Sequence, residues 1–348
     1  MNGELTHNEI ITQPDAWADA LAAFAMREDV ARAAWADLAP RQVVFIGCGS
    51  THYLSITAAS LWRGLVGAAE ARPASELLFF FDEAVTDPSN TLLIAISRSG
   101  TTTETLAAVD RFRQRGGRAV WTVTCYPDSP LAMAADLVLP AVAGQEKSVA
   151  QTRSFASMLI LCQALAACLG GDDWRALDRL PDLGRQLIAD SEPVVAPIAG
   201  RLADERLYFL GSGSQYGMAS EAMLKMTEMS LTPSQAFHFL EFRHGPMSMI
   251  EAGTQVIGLV SPQAEAHEWR VLVEMRAKGA AVFALSQGEG DADWHIALPG
   301  GLPWWTLPVL YLPPLQLMAY HRSRAKGLDP DNPRNLSSVV FLDRKSFG

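Results

Sequence analysis

Two groups of residues in this sequence have types and spacings that chemistry could use. The first is rich in hydroxyls: Ser97-Arg98-Ser99-Gly100-Thr101-Thr102-Thr103-Glu104 follows the apolar run Leu92 to Ile96, and Gly47-Cys48-Gly49-Ser50-Thr51 follows Val43 to Ile46. Hydroxyls and main-chain N–H groups gathered where a strand passes into a helix are donors suited to a phosphate ester. The same residues could also cap a helix, with Ser99 or Thr101 as N-cap and Glu104 closing a capping box. A cap uses one hydroxyl and leaves the others. A dinucleotide site needs a third glycine where His52 stands, so no nicotinamide cofactor is expected.

The second group is Glu221, Lys225 and Glu228, at i, i+4 and i+7 of a predicted helix, with His244 ahead of Gly245-Pro246. Proton transfer in catalysis needs a positioned base and a second group that can act as acid. A carboxylate and an imidazole on a Gly-Pro turn fit those roles. The spacing also suits a surface ion-pair ladder, and the residues alone leave both readings open. His238 and His267 have no comparable context.

The totals narrow the classes. A net charge of −10 over 348 residues, with 49% hydrophobic and 19% charged, is an ordinary soluble composition without the basic face that nucleic acid requires. Any phosphate must therefore be held by local donors. The length suits two domains. Cys48, Cys125, Cys162 and Cys168 form no CxxC pair and no cluster with histidine, so neither a metal nor a disulfide framework is expected. Met1 to Gln13 is polar, unlike a signal peptide, and no apolar run reaches the roughly 20 residues that span a bilayer. The expected compartment is the cytoplasm, with no membrane partner.

These residues must be positioned by elements, and the elements repeat. After a helical opening over Asp15 to Glu28, apolar runs at Val43-Ile46, Leu77-Phe81, Leu92-Ile96, Ala119-Val123 and Leu137-Leu139 alternate with helix-compatible stretches. Apolar runs without alternation predict strands covered on both faces, hence a parallel α/β sheet. The apolar helix Thr152 to Leu169 ends at Gly170-Gly171, and a second helical stretch, Trp174 to Ile198, leads to new runs at Leu207-Leu210, Val256-Val260, Ala280-Ala284 and His295-Leu298. Helices are predicted over Ser220-Ser230 and Ala264-Lys278. Leu207 to Ser214 echoes Val43 to Ser50, each a strand followed by Gly-x-Gly-Ser, so the domain is duplicated. The expected division is 1–172 and 173–348. The aromatic helical segment Trp304 to Tyr320 is expected to serve core packing or a subunit interface.

The hydroxyl loop and the Gly47 to Thr51 turn together resemble the sugar isomerase (SIS) domain family. In particular the chain resembles the isomerase half of glutamine:fructose-6-phosphate amidotransferase. Further matching segments are Glu9 to Pro14, Glu221 to Glu228, Glu241 to Pro246 and Asn332 to Leu336. The resemblance implies two tandem SIS domains, each a five-stranded parallel sheet flanked by helices in a flavodoxin-like three-layer sandwich. It implies that Ser50, Thr51, Ser97, Ser99 and Thr102 hold a substrate phosphate and that Val149 makes a backbone contact to the sugar. Glu228 matches the proton-transferring carboxylate, with Glu221 and Lys225 beside it. His244 matches the ring-opening histidine, which in that family reaches the neighbouring subunit's site and so implies a homodimer.

The sequence departs from the family in three places. It begins at the isomerase half, so no glutaminase domain is expected. Ser338 stands where the amidotransferase has a Schiff-base lysine, and Arg98 replaces a common glutamine in the phosphate loop, adding positive charge. These features imply a glucosamine-6-phosphate deaminase, without a cofactor. The alternatives are a deglycase of 6-phosphorylated fructosamines, a simple aldose–ketose phosphosugar isomerase, or a non-catalytic sugar-phosphate sensor.

Overall fold

The computed structural model describes residues 3–201 and 206–337. The chain forms two compact units: 12–146 with 151–181, here the amino-terminal unit, and 3–11 with 147–150, 182–201 and 206–336, the carboxyl-terminal unit. The division after Pro181 lies inside the second helical stretch; the helical opening Asp15 to Glu28 belongs with the amino-terminal unit, and the helix before it, Glu4–Ile11, with the carboxyl-terminal unit.

In chain order the elements begin with α1 (Glu4–Ile11), α2 (Gln13–Ala25) and α3 (Glu28–Leu38). There follow β1 (Gln42–Gly47), α4 (Ser50–Leu65), β2 (Ala69–Pro73), α5 (Ala74–Phe79), α6 (Phe81–Ala84), β3 (Thr91–Ile96) and α7 (Thr103–Gln114). Next come β4 (Ala119–Thr124), α8 (Pro130–Met133), β5 (Leu137–Pro140), α9 (Arg153–Gly170) and α10 (Leu180–Ala199). The remainder is β6 (Arg206–Gly211), α11 (Gln215–Ser230), β7 (Ser234–Phe237), β8 (Thr254–Leu259), α12 (Glu265–Ala277), β9 (Ala281–Ser286), β10 (Trp294–Ala297) and α13 (Pro308–Ala325).

Each unit carries one five-stranded parallel sheet, in the orders β2-β1-β3-β4-β5 and β7-β6-β8-β9-β10. Two five-stranded parallel sheets are what the resemblance implies. Every residue of β3, β4 and β8 is buried, because helices cover both sheet faces. On one face of the first sheet, Val44, Ile46, Leu93, Ala95 and Val120 pack against Leu77, Ala108 and Phe112. In the second, Tyr208, Leu210, Val256, Val282 and Ala284 pack against Leu272 and Met275.

Two strands were not visible as apolar runs, and one predicted strand is helical. β2 and β7 are edge strands with one neighbour each, so they keep polar, half-buried residues and lack an apolar signature. Leu77 to Phe81 instead spans the end of α5 and the start of α6. Leu77 and Phe81 are buried there, while Phe79 and Phe80 stay 58% and 51% exposed. α9 is long and apolar enough to cross a membrane by composition, but 83% of it is buried, as suits a core helix. Within it Cys162 and Cys168 are buried, and burial pushes the Cys162 thiol up to about 12, so it packs as a small apolar residue. In the Trp304 to Tyr320 segment Trp305 and Tyr311 are buried, which supports the core-packing reading.

Candidate functional site

The hydroxyl loops sit at the switch point of the amino-terminal sheet. β1 and β3 are adjacent, and the chain leaves them toward opposite edges, so the crevice beyond their carboxyl ends opens between 47–51 and 97–102. Ser50 opens α4 behind Gly49, and both Ser50 and Thr51 are buried. The Thr51 hydroxyl accepts the Cys48 N–H at 2.9 Å and donates back to the Cys48 carbonyl at 3.0 Å, which braces the turn.

The second loop is organised by its own hydroxyls. Ser97 Oγ accepts the Gly100 N–H at 3.1 Å and lies 3.2 Å from Thr102 Oγ1. Ser99 Oγ accepts the Thr101 N–H at 3.2 Å and the Thr101 hydroxyl at 2.9 Å. Thr102 is the N-cap of α7 but makes no side-chain cap bond, so the capping reading of Ser99 or Thr101 is not realised. The first-turn N–H groups of α7 point out of the helix beside these hydroxyls, a donor set suited to an anion.

Arg98 braces this loop from behind. Its guanidinium lies 3.5 Å from Glu146, with the two side chains 9% and 0% exposed, and its carbonyl accepts the Cys125 N–H at 3.1 Å. Glu146 therefore meets the positive charge that the sequence led us to expect at the phosphate. Glu146 also accepts the Thr152 N–H and hydroxyl, each at 2.7 Å. Nothing in the sequence marks this partner, because an isolated glutamate in a loop has no pattern.

Gly100 is required for the loop's shape. Its φ is +62°, and a Cβ there would lie 1.9 Å from Ser129 Oγ. Gly100→Ala is expected to destabilise the protein by about 2–3 kcal/mol in urea unfolding and to weaken phosphate binding measured by calorimetry. Unchanged binding would detach this loop from the ligand.

Glu221, Lys225 and Glu228 come together on α11 in the carboxyl-terminal unit, and they are not a surface ladder. Lys225 Nζ lies 3.2 Å from Glu221, both side chains 1% exposed, and it donates to Glu228, whose side chain is 15% exposed. Burial opposes the charged lysine, but the two carboxylates outweigh it and hold the ammonium above the ordinary lysine range. Glu228 is thus anchored from below with its carboxylate near the surface.

His244 is exposed and follows a short 3₁₀ turn, Glu241–Arg243. Gly245, at φ +122°, supplies the left-handed corner beyond it. His238, set aside on sequence, stacks on Tyr216 with ring centroids 3.9 Å apart. His267 remains at an exposed helix start.

Val149 belongs to the carboxyl-terminal unit, in a four-residue strap fixed by Glu9 and Asp331. Glu9 accepts the Lys147 N–H at 2.6 Å and the Ser148 hydroxyl, and the Val149 N–H donates to the Asp331 carbonyl at 3.2 Å. The Asp331 carboxylate in turn accepts the Gly3 N–H at 2.9 Å, the Thr6 N–H at 2.8 Å and the Thr6 hydroxyl at 2.7 Å, acting as the cap of α1. Ser338 lies outside the described residues. Asp331→Ala is expected to cost about 1–3 kcal/mol in urea unfolding and to speed amide exchange in 3–11 and at Val149. Unchanged exchange at Val149 would show that the strap holds by other means.

Tandem doubly wound sheets, one with a hydroxyl-lined switch point, define a class of α/β protein built to receive an anionic ligand. The SIS domain matches residues 39–168 and 202–292, and the chain belongs to the SIS domain family. It is 33% identical over 322 residues to a glutamine–fructose-6-phosphate aminotransferase (isomerizing) of Symbiobacterium thermophilum, covering 87% of this chain and 52% of that protein. It is 32% identical over 350 residues to the protein of the same name from Pyrobaculum aerophilum, covering 96% and 57%. The chain thus spans about half the length of the curated relatives it matches. Among solved structures, the glucosamine-6-phosphate deaminase of Thermotoga maritima superposes with TM-score 0.83 and 27% identity, over 97% of this chain and 100% of that one. The tagatose-6-phosphate ketose/aldose isomerase of Escherichia coli has TM-score 0.87 at 23% identity, over 96% and 97%, a likeness of fold.

Proposed function

We propose that the protein converts phosphosugars and that its reaction is the deamination of glucosamine 6-phosphate to fructose 6-phosphate and ammonia. The phosphate rests on Ser97, Ser99, Thr102, Ser50 and the amides around Thr51. His244 assists ring opening, and its exposure on a loop corner suits a residue that serves the neighbouring subunit of a cytoplasmic homodimer. Glu228 takes the C2 proton and returns it to C1, leaving an imine at C2. Water adds to that carbon and ammonia departs, giving the ketose.

The observation that carries the reading is the buried Lys225 beneath Glu228. A lysine taken fully out of water to hold a carboxylate at the surface is costly for stability alone, and such groups gather at functional sites. The likeness to the Thermotoga maritima deaminase over 97% of the chain supports the choice of reaction, as does Ser338 at the position of the amidotransferase lysine.

Purified protein incubated with glucosamine 6-phosphate is expected to release ammonia and fructose 6-phosphate in equal amounts. No ammonia at millimolar substrate would remove this reaction. Release of free lysine from fructoselysine 6-phosphate, or ketose–aldose exchange without amine release, would move the assignment to a deglycase or an isomerase.

A further inference from the structure

The carboxyl-terminal unit repeats the switch point, so it carries a second crevice of the same backbone design. A Cβ on Gly47 would lie 2.5 Å from the Thr51 carbonyl oxygen, and one on Gly211 would lie 2.4 Å from that of Gln215. Gly49 and Gly213 have φ of +56° and +58°. Ile46 pairs with Ala95 and Gly211 with Leu259, which makes Val260 the counterpart of Ser97. The hydrogen bonds agree: Ser97 N–H donates to Val123 and Val260 N–H to Leu285, at 3.2 and 2.9 Å.

From that point the side chains part. Ser97, Ser99, Thr101 and Thr102 have Val260, Pro262, Ala264 and Glu265 as counterparts, so the hydroxyl cradle is gone. Into the crevice comes Glu268, from the first turn of α12 and 1% exposed. Its carboxylate accepts the Ser261 N–H at 2.5 Å, beside the Ser261 and Ser212 hydroxyls. Tyr311 closes the floor by donating to the Val260 carbonyl at 2.6 Å. Complementing the dipole of α12 does not explain this burial, because Glu265 serves that purpose in the same turn while partly exposed. Burial outweighs these hydrogen bonds and raises the Glu268 pKa, so the arrangement stands against a desolvation cost.

We propose that Glu268 is the built-in occupant of the second anion crevice, taking the loop amide that a phosphate oxygen would take and leaving each chain one phosphate site. This rests on reading the 50–51 and 97–102 loops as the phosphate cradle. A carboxylate fixed in the crevice both fills it and repels a dianion.

The test is equilibrium dialysis of the full chain against radiolabelled inorganic phosphate. Wild type is expected to bind one phosphate per chain, and Glu268→Ala and Glu268→Ser two. In a Ser99→Ala/Thr102→Ala background the counts are expected to fall to zero and one. Two sites in wild type, or no gain in either folded Glu268 variant, would overturn the proposal. Glu268→Ser keeps a partner for the Ser261 amide and serves if the alanine variant does not fold. A gain at Glu268 together with no loss from the Ser99/Thr102 changes would sink the cradle reading and, with it, the inference that the second crevice repeats a phosphate site, whereas a loss there with no gain at Glu268 would sink this inference alone.

Discussion

Glu228→Gln is expected to lower turnover of glucosamine 6-phosphate by about 10²–10⁴-fold, the range that a positioned acid–base group contributes, while leaving phosphosugar binding in place. Glutamine matches the shape of glutamate and can still accept from Lys225, so the change removes the proton carrier and little else. Two measurements separate this from a structural fault. Single-turnover proton exchange at C2 should disappear, whereas thermal stabilisation by fructose 6-phosphate should persist. Full activity in this variant would remove Glu228 from the mechanism.

Lys225→Met should have the largest effect on stability. It leaves Glu221 buried without the ammonium that lies 3.2 Å away, and breaking one partner out of a buried pair costs about 3–5 kcal/mol. Urea unfolding reads the loss directly. Replacing Glu221 by Gln as well should restore part of it, because the stranded charge is then gone; a double variant no more stable than Lys225→Met alone would show that the cost lies elsewhere. The pH dependence has a definite sign. The carboxylates raise the folded-state pKa of Lys225 above the ordinary 10.5, so its contribution is complete below that value and is lost only as pH climbs through the higher folded value. Neutral and mildly alkaline buffers should therefore leave this contribution intact. Activity should fall with the lysine too, since Glu228 loses the group that orients it.

What could be read from residues alone follows from how strongly each signal is local. The central strands announced themselves because a strand covered on both faces must be apolar throughout, as Leu92 to Ile96 is. The duplication showed in the Gly-x-Gly-Ser turns, whose left-handed glycines have few substitutes. The hydroxyl loop was legible for the same reason: its donors are consecutive. The edge strands β2 and β7 were not, since an edge needs little apolar surface, and the Leu77 to Phe81 run has an apolar content that suits helix or strand equally.

Long-range charge pairing was decided only by tertiary structure. Sequence spacing put Glu221, Lys225 and Glu228 on one face but could not tell water from interior, and burial is what separates an exposed ladder from an anchored carboxylate. Arg98 with Glu146, Asp331 with the start of α1, and Glu268 in the second crevice join elements whose sequence separation or lone position leaves no periodic trace. A polar side chain's partner depends on where the whole chain has carried it, because the cost of burying a charge is met by whichever donor the fold delivers, near in sequence or far.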